Sequence, residues 1–297
     1  MKSLTSKIMT IIKTRLISPV FIVAVFSNFF LGCEETPTAE SYRREVVISG
    51  TLTSGSNIDT IKVTWTGEVD KLYDTKNLAI SDAVVIVKGV DVAFYDSLIY
   101  DPTVPGRYYS TDVTKKIQPA KTYELYVKTF TPESRIVTAT TTVPDSFSIV
   151  AATVNSGDTI RYNVLAPVHS FSWSASRLYS TYLPTISYLD SGAVMIPKIF
   201  YRDTLSKDFR KPDKVGYRIG LPPYQQNTDL PWIFLSYYGN VQFDVYAIDY
   251  NYNDFINQII PAQGGELKEI RYRVKGGLGI FGSRTQAKNP IKIYLKP

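Results

Sequence analysis

From Glu45 onward the chain changes between apolar and polar residues at a period of two. Ile61, Val63 and Trp65 alternate with Lys62, Thr64 and Thr66, and Tyr123, Leu125 and Val127 alternate with Glu124, Tyr126 and Lys128. Strict alternation over this length is the pattern of a strand with one face in a core. Further strands are predicted over Glu45–Thr53, Ala83–Lys88, Val92–Tyr100, Arg107–Ser110 and Ser134–Val143, with turns at Ser54–Asn57 and Pro105–Gly106. Seven short strands without a helical stripe between them predict an antiparallel sandwich of immunoglobulin-like or transthyretin-like type.

Pro144-Asp145-Ser146 marks a boundary, which divides the folded part into a β-sandwich domain at 45–144 and a second β-rich domain at 145–297. Strands are expected there at Phe147–Val154, Thr159–Leu165, His169–Trp173, Trp232–Tyr237, Val241–Ile248, Glu269–Val274, Gly277–Gly282 and Ile291–Leu295. Residues 174–231 mix tyrosines, prolines and polar patches and read as long loops over a sheet, with Arg202–Lys214 as an exposed loop. Asp249–Ile260 predicts one short helix: Phe255, Ile256, Ile259 and Ile260 share a face, and Pro261 marks its end. The fold class is therefore all-β.

The N-terminus has a different texture. Lys2, Lys7, Lys13 and Arg15 precede a mostly apolar run from Leu16 to Leu31, and no acid occurs before Glu34. The run is interrupted by Pro19, Ser27 and Asn28, short for a spanning helix and suited to a signal peptide at 1–32. Phe30-Leu31-Gly32-Cys33 ends it with a small residue before the single cysteine. The segment resembles the lipobox of bacterial lipoproteins, with Phe30 where Leu is usual. The resemblance implies lipidation at Cys33, including a palmitate-type chain, and a tether to the membrane. Each buried methylene contributes about 0.8 kcal/mol, and several acyl chains make the anchor permanent. Residues 33–44 then form a spacer that reaches at most ~35–40 Å. Glu34-Glu35 resembles the acidic signal that sends some lipoproteins to the cell surface; on its own the pair reads as a solvated linker.

The net charge of +6 falls to +2 once the four basic residues of this leader are set aside. A nearly neutral domain has no electrostatic reason to bind nucleic acid. With Cys33 acylated, neither a free thiol nor an internal disulfide is available to the folded part. His169 is the only histidine, so a Cys/His zinc site and a cysteine protease dyad are excluded.

Val46-Val47-Ile48-Ser49-Gly50-Thr51-Leu52-Thr53, Thr122-Tyr123-Glu124-Leu125, Thr141-Thr142-Val143-Pro144 and Gly276-Gly277-Leu278-Gly279-Ile280-Phe281-Gly282 follow the lipobox in that order. Together they resemble the outer-membrane lipoproteins of domain-of-unknown-function family 4249. The resemblance implies a β-sandwich followed by a second β-rich domain, an outer-membrane address facing the cell surface rather than the periplasm, and association with a TonB-dependent receptor. It carries no catalytic motif.

Four features invite a chemical reading. Gly277-Leu278-Gly279-Ile280-Phe281-Gly282 matches G-x-G-x-x-G, but a dinucleotide site needs a helix after the turn and an acid about 20 residues on. The chain has neither, so tight backbone packing or a bulge at the base of the last strand pair is expected, with Ile280 and Phe281 buried. Asp249-Tyr250-Asn251-Tyr252-Asn253-Asp254 begins like a calcium loop, yet its sixth and twelfth positions are Asp254 and Ile260 instead of Gly and Glu. A helix N-terminus capped by Asp or Asn accounts for the same residues. His169 has no G-x-S-x-G serine to serve and reads as structural or exposed. Eleven tyrosines (Tyr179, Tyr182, Tyr188, Tyr201, Tyr217, Tyr224, Tyr237, Tyr238, Tyr246, Tyr250 and Tyr252), with Trp173 and Trp232, crowd the second half. They read either as core strand residues or as exposed rings that stack on sugars or anchor a protein.

The sequence thus predicts a non-enzymatic surface lipoprotein, without cofactor, metal or catalytic residues. It would act as an accessory or ligand-binding partner of a TonB-dependent uptake receptor, with a glycan or peptide as ligand. The alternative is an adhesin or structural envelope lipoprotein.

Overall fold

The computed structural model describes residues 42–68, 71–196, 215–218, 225–263 and 272–297. The expected signal peptide, Cys33, most of the spacer and the Arg202–Lys214 loop lie outside the described residues. Arg44 to Pro297 form one compact unit.

The first half contains β1 (Val46–Thr53), β2 (Ile61–Trp65), the single-turn helix α1 (Thr75–Leu78), β3 (Val84–Gly89), β4 (Tyr95–Tyr100), β5 (Arg107–Tyr109), β6 (Thr122–Lys128) and β7 (Ile136–Thr142). Their pairing runs β1-β2-β5 on one side and β4-β3-β6-β7 on the other, with β4 also bonded to β5. That is the immunoglobulin-like order of strands. Alternation is realised as expected: Val46, Ile48 and Leu52 of β1, Ile61, Val63 and Trp65 of β2, and Tyr123, Leu125 and Val127 of β6 all face the core. Tyr123 supplies a second mark of the fold. From the start of β6 its hydroxyl accepts a bond from the Gln118 backbone N–H at 2.8 Å, which is the tyrosine corner of such sandwiches.

The second half contains β8 (Ile149–Ala152), β9 (Thr159–Arg161), β10 (His169–Trp173), β11 (Thr181–Tyr188), β12 (Val215–Arg218), β13 (Asn227–Leu230), β14 (Gly239–Ile248), α2 (Tyr250–Gln263), β15 (Val274–Lys275), β16 (Leu278–Gln286) and β17 (Ile291–Lys296). A three-stranded sheet, β13-β10-β8, covers the β11-β14-β17 sheet. Phe171 and Phe243 stack between the layers at 3.8 Å.

Three expectations are corrected. Thr181–Tyr188, inside the presumed loops, is a central strand paired with β12 and β14. It is buried on both faces, so it has no alternation to betray it, and Pro184 argues against a central strand on sequence rules. Trp232–Tyr237 is no strand: Trp232–Phe234 forms a 3₁₀ turn after Pro231, and the indole N–H is held by the carbonyls of Ala166 and Pro167 at 3.1 and 3.2 Å. The helix α2 runs through Pro261 to Gln263; the proline removes one i→i−4 hydrogen bond near the end of the helix without terminating it.

Core residues of the first half end at Val143 and those of the second begin at Phe147, but Val274 and Phe281 pack into the first core. The C-terminal strands return to the sandwich and cover both of its edges. β16 pairs parallel with β1 from Val47↔Leu278 to Thr53↔Arg284, and β15 pairs with β7. Beyond β1, the end of β16 bonds to β14, so one sheet continues across the molecule.

A buried polar junction fastens this return. Asp249 precedes α2 and accepts the Tyr252 N–H at 2.9 Å on Oδ1, as an N-cap should. Its Oδ2 accepts the Thr141 hydroxyl of β7 at 2.6 Å. Ser283 Oγ of β16 lies 2.8 Å from the same hydroxyl and donates to the Thr142 carbonyl at 3.1 Å. The Asn251 amide bridges the carbonyls of Thr140 and Phe281 at 2.7 and 2.9 Å. Asp249 is 3% exposed.

Desolvation raises the Asp249 pKa above its ordinary value, against the hydrogen bonds from Thr141 and Tyr252. The folded chain therefore binds this proton more readily than the unfolded chain. Stability from this group is full below the ordinary carboxylate value, about 3.9, and is lost as pH rises through the raised value. Asp249→Asn keeps a capping side chain without the charge. Its urea midpoint relative to wild type should rise as pH is raised above about 4; a difference flat with pH would refute this. Asp101, Asp112, Asp145 and Asp190, whose pKa values are lowered mainly by hydrogen bonds, act oppositely but equally in both proteins. Asp249→Ala, which removes both acceptors, should cost about 1–3 kcal/mol at acid pH, with the cost falling as pH rises.

Candidate functional site

The glycine segment has a structural task. Gly279 sits at φ +102° where a Cβ would lie 1.9 Å from the Ile48 carbonyl oxygen, and a Cβ on Gly277 would lie 2.6 Å from that of Val46. Backbone meets backbone there, as expected, with Ile280 and Phe281 buried. The partner is the first strand, β1, and not the last strand pair. The calcium-like run also resolves into structure: Asp249 caps α2, and Asp254 is ion-paired with Arg273. Among the described residues no group of three or more His, Cys, Asp or Glu is placed to hold a metal ion.

The tyrosines divide. Tyr182, Tyr188, Tyr237, Trp173 and Trp232 belong to the second core, whereas Tyr250 is exposed. Tyr179, Tyr238, Tyr246 and Tyr252 are half-buried, and Tyr201 and Tyr224 lie outside the described residues. The Tyr182 hydroxyl accepts the Ser176 N–H at 2.7 Å, and the Tyr188 hydroxyl that of Ser236 at 2.6 Å. Desolvation pushes the Tyr182 pKa up to about 12. His169 packs against Trp232 with ring centroids 5.1 Å apart, its Nδ1 lies 3.3 Å from Thr153 Oγ1, and burial lowers its pKa. It is a neutral packing residue of β10.

Two surfaces have the character of binding sites. One is an apolar patch on the loop between β9 and β10. Leu165 is 92% exposed, and Val164, Val168 and Ile233 are exposed beside it. Trp232 ties this loop down through its two indole bonds, and the Tyr162 ring meets Trp232 and Tyr238 edge-on. Exposed apolar groups gathered on a rigid aromatic base mark contact surfaces.

The other is an open polar cleft of about 520 Å³ where β1 and the β1–β2 turn meet β14 and β16. Arg284 and Gln286 project from β16 with Tyr246 of β14 alongside. The guanidinium carbon of Arg284 lies 4.6 Å from the Tyr246 ring centroid, and its Nε donates to Thr53 Oγ1 at 3.1 Å. Behind the cleft, Asp244 is 2% exposed and accepts the amides of Gln286 and Gln242 on separate oxygens at 2.6 and 2.8 Å. Asp59, the carboxylate on the cleft wall, is engaged by Arg107 at 2.8 Å. Sequence reading reached β14 as a strand but missed this site. The alternation of Gln242, Asp244 and Tyr246 with Val241, Phe243 and Val245 was the available signal for a polar face; nothing local foretells that Arg284 joins it.

No family model matches the chain, and no curated protein matches it. Similar solved structures include the FN1–FN3 domains of chicken CNTN1, at 15% identity and TM-score 0.26, covering 85% of this chain and 67% of that one. A two-domain fibronectin type-III segment from chicken tenascin aligns at 10% identity and TM-score 0.19, covering 69% and 90%. Extracellular cadherin domains 3–6 of protocadherin gamma B2 align at 12% identity and TM-score 0.18, covering 85% and 50%. Superposition is loose in all three, so the fold assignment rests on strand order and the tyrosine corner.

If the glycines serve the β1–β16 contact, Gly279→Ala should destabilise the fold by at least about 2 kcal/mol, through its positive φ and the clash with Ile48. Chemical denaturation checks this; an unchanged midpoint would show that the two strands can separate at no cost.

Proposed function

We propose that this protein is a non-enzymatic lipoprotein of the outer membrane, anchored through Cys33 and displayed at the cell surface as an accessory to a TonB-dependent uptake receptor. The observation that carries the reading is the basic-then-apolar leader ending in Leu31-Gly32-Cys33, only eleven residues before the compact unit begins at Arg44. A spacer of that length holds a folded domain near a bilayer without burying it. The family resemblance supplies the receptor association. The Leu165 patch supports docking, because an exposed leucine on a pinned loop and an exposed isoleucine on the 3₁₀ turn that pins it gain from being covered by a partner.

Two experiments test the reading. Cells labelled with a fatty acid should incorporate label into the wild-type protein and none into Cys33→Ala, which should also leave the membrane fraction. Persistence of label in that variant, or an unlabelled wild type, overturns the anchor.

For docking, Leu165→Asp and Ile233→Asp should lower recovery of the receptor in affinity purification by about tenfold, while thermal stability stays within about 0.5 kcal/mol because both side chains are exposed. Full recovery with both variants removes the patch from the docking surface. Unimpaired uptake with lost surface attachment in a deletion strain would favour the adhesin alternative.

A further inference from the structure

We propose that the polar cleft between the β1–β2 turn and strands β14 and β16 binds a carboxylate-bearing sugar, with Arg284 receiving the carboxylate. This inference goes beyond membrane attachment and holds whether or not Cys33 is acylated.

Arg284 is prepared for such a role. Its guanidinium lies over Tyr246 and is fixed through Nε by Thr53. Among the described residues no carboxylate pairs with it. A planar guanidinium held by stacking and one hydrogen bond keeps its remaining N–H groups for a two-pronged contact, the geometry that matches a carboxylate. The acid on the cleft wall, Asp59, is turned to Arg107, which it shares with Asp101, so among the described residues neither carboxylate engages Arg284, the one cation of the cleft lining.

The rest of the lining selects the class of anion. Ser49, Thr51, Asn57 and Thr60 bring hydroxyl and amide groups to the walls, and these both donate and accept. Gln286 is oriented by the buried carboxylate of Asp244, which engages its Nε2. An amide whose nitrogen is committed to a buried acid presents its oxygen as an acceptor with little freedom to flip. One cation beside several hydroxyl and amide groups fits a molecule with one carboxylate and several hydroxyls. The volume, about 520 Å³, falls within the range of small-ligand sites. A peptide fits less well. Peptides commonly add a strand to a free sheet edge, and the edge of β1 at this cleft is already occupied by β16.

Calorimetric titration of the full chain in detergent tests this, using disaccharides of galacturonate, glucuronate and mannuronate and their neutral hexose counterparts. At least one uronate should bind, and its neutral counterpart at least about tenfold more weakly. Arg284→Gln should erase that preference. Arg284→Lys, which keeps the charge without the fork, should retain only part of it.

The comparison of acidic with neutral sugar on the wild-type chain needs no variant, so it decides even if Arg284→Gln does not fold. Asn57→Ala, on the surface turn, should weaken acidic and neutral sugars alike. Absence of binding by all three uronates overturns the proposal, as does equal binding of the neutral sugars. Undiminished preference in a folded Arg284→Gln variant, displacement by inorganic sulfate as effective as by uronate, or tighter binding of a peptide carboxylate does the same.

Discussion

The parallel pairing of β16 with β1 is the contact on which the rest of the molecule depends. It closes the exposed edge of the sandwich and carries Phe281 into the first core. It also brings Arg284 beside Thr53 and Ser283 beside Thr141. An unpaired edge strand presents open N–H and C=O groups to any other chain, and here both outer strands of the sandwich are covered by the protein's own C-terminal region. The contact demands glycine at 277 and 279, where side chains would enter the β1 backbone. It also accepts a buried carboxylate at Asp249, whose desolvation is only partly offset by the hydrogen bonds it receives. Cap, strand and sandwich edge meet at that one residue.

The abundance of tyrosine has a second structural cause besides strand propensity. In both halves, buried tyrosines place the ring in a core and give the hydroxyl to a loop. Tyr108 donates to the Ile80 carbonyl and accepts the Ala83 N–H. Tyr123, Tyr182 and Tyr188 accept backbone N–H groups from Gln118, Ser176 and Ser236. A buried hydroxyl needs a partner, and an irregular segment has backbone donors left over from strand pairing. Each requirement satisfies the other. In this way a protein whose folded part lacks cysteine holds its long connections against two cores without disulfides.

What could be read in the sequence follows from how each element is buried. Strands with one wet face, such as β2 and β6, announced themselves through Lys62 and Glu124, and His169–Trp173 was placed to the residue. The helix start was legible because Asp249 is a good cap. Strand β11 was not, since burial of both faces erases the period and Pro184 reads as an interruption. The glycine run reads as packing from its sequence, but its partner lies more than two hundred positions earlier, and no local pattern encodes such a pairing. The polar cleft was hidden for the same reason: Thr53, Tyr246 and Arg284 come from three separate regions and become neighbours only through the β1–β16 contact.

That distance has a kinetic side. Thr53 and Arg284 are 231 positions apart, so β1 gains this neighbour only when a segment that far along the chain reaches it. Until then the nascent sandwich has open edges at β1 and β7. Pairings this remote are slow to form, because the entropy of closing the loop is lost before the contacts are gained. A sandwich without these strands has exposed edges, the kind of surface that chaperones shield. The C-terminal strands act as the clasp on the sandwich that the earlier part of the chain builds.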